Sequence, residues 1–245
     1  MVAIKTDKLT KKYKDLVAVD NLDFQVESGS LVSLLGVNGA GKTTTIKMLC
    51  GLTLPTSGDA FLNGFSVKNE PEKVKSIIAV SPQETAVAAN LSVQENLMLM
   101  AGVHGFAMDK AKQKVALLME KFDLSGIKNK RAGKLSGGWQ RRLSIAMALI
   151  SEPQILFLDE PTLGLDVIAR RELWKIIAEL KGKITIILTT HYLEEAEHLS
   201  DKIAVMKNGK LKAYDTAECL IKLSGACNFE DAFIKLAGGS AGEVI

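Results

Sequence analysis

Residues 36–43, Gly36-Val37-Asn38-Gly39-Ala40-Gly41-Lys42-Thr43, constrain this chain more than any other stretch. They follow the apolar run Leu31 to Leu35, which reads as a strand, and precede Thr44 to Cys50, which reads as a helix. A Gly-rich turn between strand and helix lets the backbone curl so that successive amide hydrogens point inward. The start of the helix adds positive potential, and an anion is welcome there. Gly36, Asn38, Gly39, Ala40, Gly41, Lys42, Thr43 and Thr44 are therefore the expected phosphate cradle. Lys42 is expected to reach the β and γ phosphates of a nucleotide. The Thr43 hydroxyl is expected to bind Mg²⁺, a hard cation that prefers oxygen ligands.

A second element is the strand-like Ile155-Leu156-Phe157-Leu158 followed by Asp159 and Glu160. Taken alone, an apolar strand ending in two carboxylates also reads as an ordinary solvated strand end. Beside a phosphate loop, the same carboxylates acquire charged partners that offset their desolvation. Asp159 is then placed to hold the metal through water, and Glu160 to orient and deprotonate the water that attacks the γ phosphate.

Short apolar runs at Ile77 to Val80, Ile155 to Leu158, Ile184 to Leu188 and Ile203 to Met206 alternate with helical patterns, which argues for a mostly parallel sheet flanked by helices. Ahead of the loop, Leu16 to Val26 and Leu31 to Leu35 read as β stretches separated by the turn-forming Ser28-Gly29-Ser30. From Leu91 to Ile150 strands give way to helical spacing, as at Val115, Leu118, Met119 and Phe122, so a helical subdomain over about 84–150 is expected. Ser92 with Glu95 fits a capping box at one of its helices, and Asn208-Gly209 fits a hairpin turn. The expected division is a main domain over 1–225 and a short helical tail over 226–245 with an apolar-periodic piece at Ala232 to Leu236 and a mobile Gly-rich end.

Phosphate loops serve many enzymes, and the discriminating feature lies at Leu135-Ser136-Gly137-Gly138-Trp139-Gln140-Arg141-Arg142, just before the Asp-Glu strand. In order and spacing this segment resembles the signature of the ATP-binding-cassette (ABC) ATPases, and the resemblance runs from Tyr13 to about Leu236. It implies an α/β fold with a phosphate-loop NTPase core, a mostly parallel sheet, an N-terminal antiparallel β portion and an inserted helical subdomain. ATP and Mg²⁺ are the implied cofactors. Ser136, Gly137 and Gly138 would meet a γ phosphate bound to a second copy, which implies a homodimer or pseudo-dimer. The likeness further gives Gln83 a contact with metal or water and with the membrane partner, Asp166 a bridge across the dimer, His191 a contact to the γ phosphate, and Tyr13 a platform for adenine. Two positions depart from the family pattern. Leu163 stands where Ser is common, and Val167 replaces a frequent Pro after Asp166.

The resemblance implies an ATPase subunit that powers transport through separate transmembrane permease subunits. The wording of Gly39 to Thr44, Arg141 to Leu143, Asp166 to Trp174 and Asp231 to Leu236 is similar to that of drug, sodium and polysaccharide exporters. An importer subunit, or a cytosolic cassette ATPase that does not transport, is the alternative. The end of the chain argues only against importers with an added regulatory domain. No run approaches the roughly 20 apolar residues needed to cross a bilayer, and the N-terminal residues lack the basic region and long apolar segment that would suggest secretion. A cytoplasmic protein, peripheral on the inner face of the membrane, is expected. With 47% hydrophobic and 24% charged residues the chain has the balance of a folded domain, and a net charge of +3 is too small to mark a nucleic-acid partner. Cys50, Cys219 and Cys227 are not spaced as a metal site and are expected to be packing residues.

Overall fold

The structure is a computed structural model that describes residues 1–238. The Gly-rich end expected to be mobile lies, from Gly239 onward, outside the described residues. The chain opens with β1 (Val2–Tyr13), β2 (Leu16–Leu22), β3 (Gln25–Glu27) and β4 (Leu31–Leu35), and then enters α1 (Lys42–Leu49). Next come β5 (Ser57–Leu62), β6 (Phe65–Ser66), α2 (Pro71–Ile77) and β7 (Ile78–Ser81). Three helices follow in succession, α3 (Val93–Val103), α4 (Met108–Lys121) and α5 (Gly137–Leu149). The remainder alternates β8 (Ile155–Asp159), α6 (Val167–Ala178), β9 (Thr185–Thr190) and α7 (Leu193–Leu199). It ends in the hairpin β10 (Lys202–Lys207) and β11 (Lys210–Asp215) and the helices α8 (Ala217–Ser224) and α9 (Phe229–Leu236). No helix among the described residues is long and apolar enough to cross a membrane.

Six strands form the central sheet in the order β11-β10-β4-β9-β8-β7, parallel throughout except for the β10–β11 hairpin. All five residues of β4 and of β8 are buried, as a strand covered on both faces requires. The turn between β10 and β11 uses Asn208 at φ 51° and Gly209 at φ 74°, the two positive values that a tight hairpin with the twist of its strands demands.

A second sheet is antiparallel and surrounds β1, which pairs with β2, β3 and β5. The sequence reading gave a single β stretch from Leu16 to Val26. The structure breaks it at Asp23-Phe24, because the Phe24 amide donates to Thr6 Oγ1 at 2.8 Å and the Thr6 amide to Phe24 O at 3.0 Å, which swings the chain across β1. The longest strand, β1, was not anticipated. Its apolar alternation is interrupted at Lys8, whose φ of 47° marks an irregularity in the pairing with β5.

The capping box expected at Ser92 and Glu95 is present and reciprocal, and it opens α3. The apolar faces of the helical stretch, including Val93, Leu97, Val115, Leu118 and Phe122, share one core with Leu156, Leu158 and Leu188 of the sheet. The fully buried Asn96 ties the entry loop to α3 by accepting from the Ala88 amide and donating to Ser92 O. At the other end, Phe229 and Phe233 of α9 pack with Leu220, Ile203 and Val205, so the tail as far as Ala237 rests on the edge of the central sheet.

Candidate functional site

The carboxyl ends of β4, β8 and β9 meet at a cleft of about 690 Å³, where open α/β sheets bind their ligands. Its wall includes 38–44 of the Gly-rich loop, Gln83, Glu160, Leu163, His191 and the exposed Leu16 and Val17. A hollow of about 750 Å³ opens at the amino ends of the same strands, lined by Leu118, Lys121, Pro153 and Ile184 among others. None of the motif residues reaches it, so size alone does not locate the chemistry.

The loop has the backbone that the glycines permit. Gly39 and Gly41 sit at φ 81° and 101°, and a Cβ on Gly36 would stand 2.4 Å from Met206 O and 2.8 Å from Ala40 Cβ. Lys42 begins α1, is 5% exposed, and donates to Gly36 O at 2.7 Å and Val37 O at 3.3 Å. Burial pushes its ammonium below the usual lysine range, while Glu160 and Asp159 pull it back. A cation held so close to the loop backbone, with carboxylates as its nearest countercharges, fits an anionic phosphate.

Thr43 Oγ1 lies 3.4 Å from Asp159 Oδ1, so a hydroxyl and a buried carboxylate face each other across the end of β8. These oxygens suit Mg²⁺. Among the described residues no three His, Cys, Asp or Glu side chains gather into a metal site of their own. A Mg²⁺ ion held here by Thr43 and Asp159 would have room for phosphate and water ligands, the set it favours.

Thr189, on β9, was not singled out from sequence. Its Oγ1 donates to Asp159 Oδ1 at 2.5 Å and accepts from the Glu160 amide at 3.0 Å. One hydroxyl thus holds the Asp159 carboxylate and the backbone of Glu160. Glu160 itself has φ 46°, an uncommon conformation for a residue with a side chain, and its Oε1 is 3.4 Å from His191 Nδ1. Arg141, within the signature segment, acts at a distance from it. It is 4% exposed and donates to Pro82 O at 2.6 Å and Gln83 O at 2.5 Å, fixing the loop that carries Gln83 to the cleft.

Other expected residues stand apart. Tyr13 is half-exposed with the Lys11 ammonium 5.0 Å above its ring, and it is the strand partner Leu16 that lines the cleft. Ser136 and Gly137 are exposed at the start of α5, outside the cleft, and the Ser136 side chain caps nothing. A Cβ on Gly138 would come within 3.1 Å of Ala169 Cβ, so the signature abuts the start of α6. Asp166 caps that helix, its Oδ1 accepting from the amides of Ile168 and Ala169, both at 2.9 Å.

Residues 19–163 match the ABC transporter family. The "Probable multidrug ABC transporter ATP-binding protein YbhF" of Escherichia coli (strain K12) is 39% identical over 239 residues, which is 95% of this chain and 41% of that protein. The "Daunorubicin/doxorubicin resistance ATP-binding protein DrrA" of Streptomyces peucetius is 41% identical over 215 residues, 87% of this chain and 65% of its own length. The chain thus spans less than two thirds of either relative. A solved structure described as the ATP binding subunit of an ABC transporter superposes with a TM-score of 0.84 at 29% identity, covering 96% of this chain and 99% of the other. For cbiO1 from Clostridium perfringens, described as part of the ABC transporter complex cbiONQ, the TM-score is 0.81 at 25% identity, over 92% and 96% of the two chains. With a Gly-rich loop, an Asp-Glu strand and a separate Ser136 helix in one such fold, the chain belongs to the ABC transporter family and is an ATP-binding domain of it.

Proposed function

We propose that this protein hydrolyses ATP and that the cycle powers export through separate membrane permease subunits, with two ATPase copies working as a dimer. The observation that carries the reading is the convergence of Lys42, Thr43, Asp159, Glu160, Gln83 and His191 on one cleft at the strand ends. In it the amides of 36–44 and the Lys42 ammonium hold the phosphates. Mg²⁺, when bound through Thr43 and Asp159, neutralises charge on the phosphate oxygens. Glu160 takes a proton from the attacking water, and His191 contacts the γ phosphate. Leu16 and Val17 line the end of the cleft where a base would lie, with Tyr13 across the hairpin from Leu16.

The position of Ser136 outside its own chain's cleft supports the dimer, since a second copy is then needed to bring the helix start to a γ phosphate. Asp166, beside it, is the bridge between copies. ATP closes the pair because it binds the closed state better than the open one. The names of the two relatives, a multidrug transporter protein and a drug-resistance protein, support export. By this reading the chain lies on the inner face of the membrane, held there by its permease.

Replacing Glu160 by Gln keeps size and hydrogen bonding but removes the base. Mg²⁺-dependent phosphate release should fall by at least about two orders of magnitude, while ATP binding persists and an ATP-dependent dimer accumulates on size-exclusion chromatography. A Glu160→Gln protein that turns over like wild type would remove Glu160 as the base.

A further inference from the structure

Buried polar atoms without a hydrogen-bond partner are rare. Three of the four found among the described residues stand together: Thr162 Oγ1, Arg170 Nε and Glu195 Oε2. Glu195, on α7, is 0% exposed, and its Oε1 accepts from Trp174 Nε1 of α6 at 3.0 Å. Burial pushes the carboxyl up from the ordinary range. The hydroxyls of Thr190 and Thr162, the Trp174 indole and the Arg170 guanidinium all draw it back, so they face the same carboxylate. The Thr162 hydroxyl lies beside that carboxylate without reaching hydrogen-bond geometry.

Each of these neighbours sits on a segment that carries a group of the proposed reaction. Thr190 directly precedes His191, and its Oγ1 accepts from the Tyr192 amide at 2.9 Å, so the hydroxyl that faces Glu195 also ties down the backbone after His191. Thr162 follows Glu160 in a turn closed by Leu163 N to Glu160 O at 3.2 Å and Leu165 N to Thr162 O at 3.1 Å. Arg170 and Trp174 belong to α6, which Asp166 caps. We propose that Glu195 is a positioning residue, the buried acceptor at which the segments bearing Glu160, His191 and Asp166 are held in register. It touches no reacting atom and acts through Thr190 and Thr162. A carboxylate suits this position because it is acceptor-only, whereas an amide would turn two donors toward hydroxyls and a guanidinium that need acceptors. This inference rests on the ATP-hydrolysis reading above.

The test compares wild type with Glu195→Gln, which keeps the volume and one acceptor for Trp174. Turnover number should fall about tenfold with the KM for ATP changed by less than about twofold, the split expected when reacting groups are misaligned and binding is not. Amide hydrogen exchange should quicken at Leu163, Leu165 and Tyr192 and stay unchanged in α1. Trp174→Phe, which deletes the indole donor and part of the buried ring but leaves Glu195 in place, should lower the melting temperature without lowering kcat. Combined with Thr190→Val, Glu195→Gln should cost no more than the worse single change, because both break one link. Wild-type exchange and turnover in Glu195→Gln would overturn the proposal, and so would an equal kcat loss in Trp174→Phe, which would reduce Glu195 to an anchor for the indole. Should Glu195→Gln not fold, Thr190→Val and Thr162→Val carry the same expectation, and wild-type kcat and exchange in both would overturn it. The exchange arm stands without turnover, so a wild type that fails to hydrolyse ATP refutes the proposed function and leaves this inference decided separately.

Discussion

Thr189→Val isolates one hydroxyl in the candidate site. The position is 0% exposed, and valine fills nearly the same volume, so no cavity opens. What disappears is the donor to Asp159 Oδ1 and one of the two acceptors of the Glu160 amide, the other being Thr189 O at 3.1 Å. A hydrogen bond to a charged group contributes about 1.5–3 kcal/mol. At about 2 kcal/mol, with about 2–4 °C per kcal/mol for a chain of this size, the melting temperature should fall by about 4–8 °C. The site should suffer as well. Asp159 would keep only the Thr43 hydroxyl, 3.4 Å away, and Glu160 would hold its positive φ with one backbone bond fewer. Phosphate release should drop about tenfold, equivalent to about 1.4 kcal/mol of barrier. Differential scanning calorimetry and a phosphate-release assay on Thr189→Val and Thr189→Ser decide it, because serine keeps the hydroxyl. Equal melting and equal turnover in the two variants would show that the hydroxyl does not organise Asp159 and the Glu160 backbone.

Gly36→Ala should abolish binding of a fluorescent ATP analogue and lower the melting temperature, because the new methyl would stand 2.4 Å from the Met206 carbonyl, which a packed strand cannot yield. Ser92→Ala should cost about 1 kcal/mol through loss of the α3 cap and leave the KM for ATP unaltered, with thermal melting and steady-state kinetics as the checks. Burial pushes the Cys50 thiol well above the usual range, so at pH 8 it stays neutral and shielded, whereas Cys219 and Cys227 are exposed to a reagent. An aromatic disulfide reagent should therefore titrate two thiols quickly in the native protein and the third only after denaturation.

The groups legible in the sequence are those whose chemistry needs neighbours in the chain. Lys42 and Thr43 must follow the glycines, and Glu160 must follow Asp159 at a strand end, so spacing alone exposes them. Thr189, Arg141 and Glu195 act across the fold, through partners that become neighbours only when β7, β8, β9 and α6 pack. A single threonine in a strand or an arginine in a helix carries no local mark of that. The same limit explains the N-terminal sheet. The alternation of β1 is broken at Lys8, and its partner β5 begins with Ser57 and Gly58, where apolar periodicity is weak. The central sheet was easier, because strands buried on both faces read as apolar runs. Asp166 shows a residue with two jobs: the capping of α6 is plain in the structure, while the bridge to a second copy rests on the family likeness.

The pairing of β4 has a consequence for how this protein is made. The strand that delivers the Gly-rich loop lies between β9 and β10, whose residues Ile186 to Thr190 and Lys202 to Val205 are synthesised long after it. The span 19–163 that matches the family contains the loop and both carboxylates, yet neither strand that borders β4. A nascent or truncated chain ending there would expose a strand with four apolar residues and both edges unpaired, a template for aggregation. Such long-range closure slows folding. The motif-bearing stretch is thus not a folding unit, and chaperone demand during synthesis should persist until β10 has emerged.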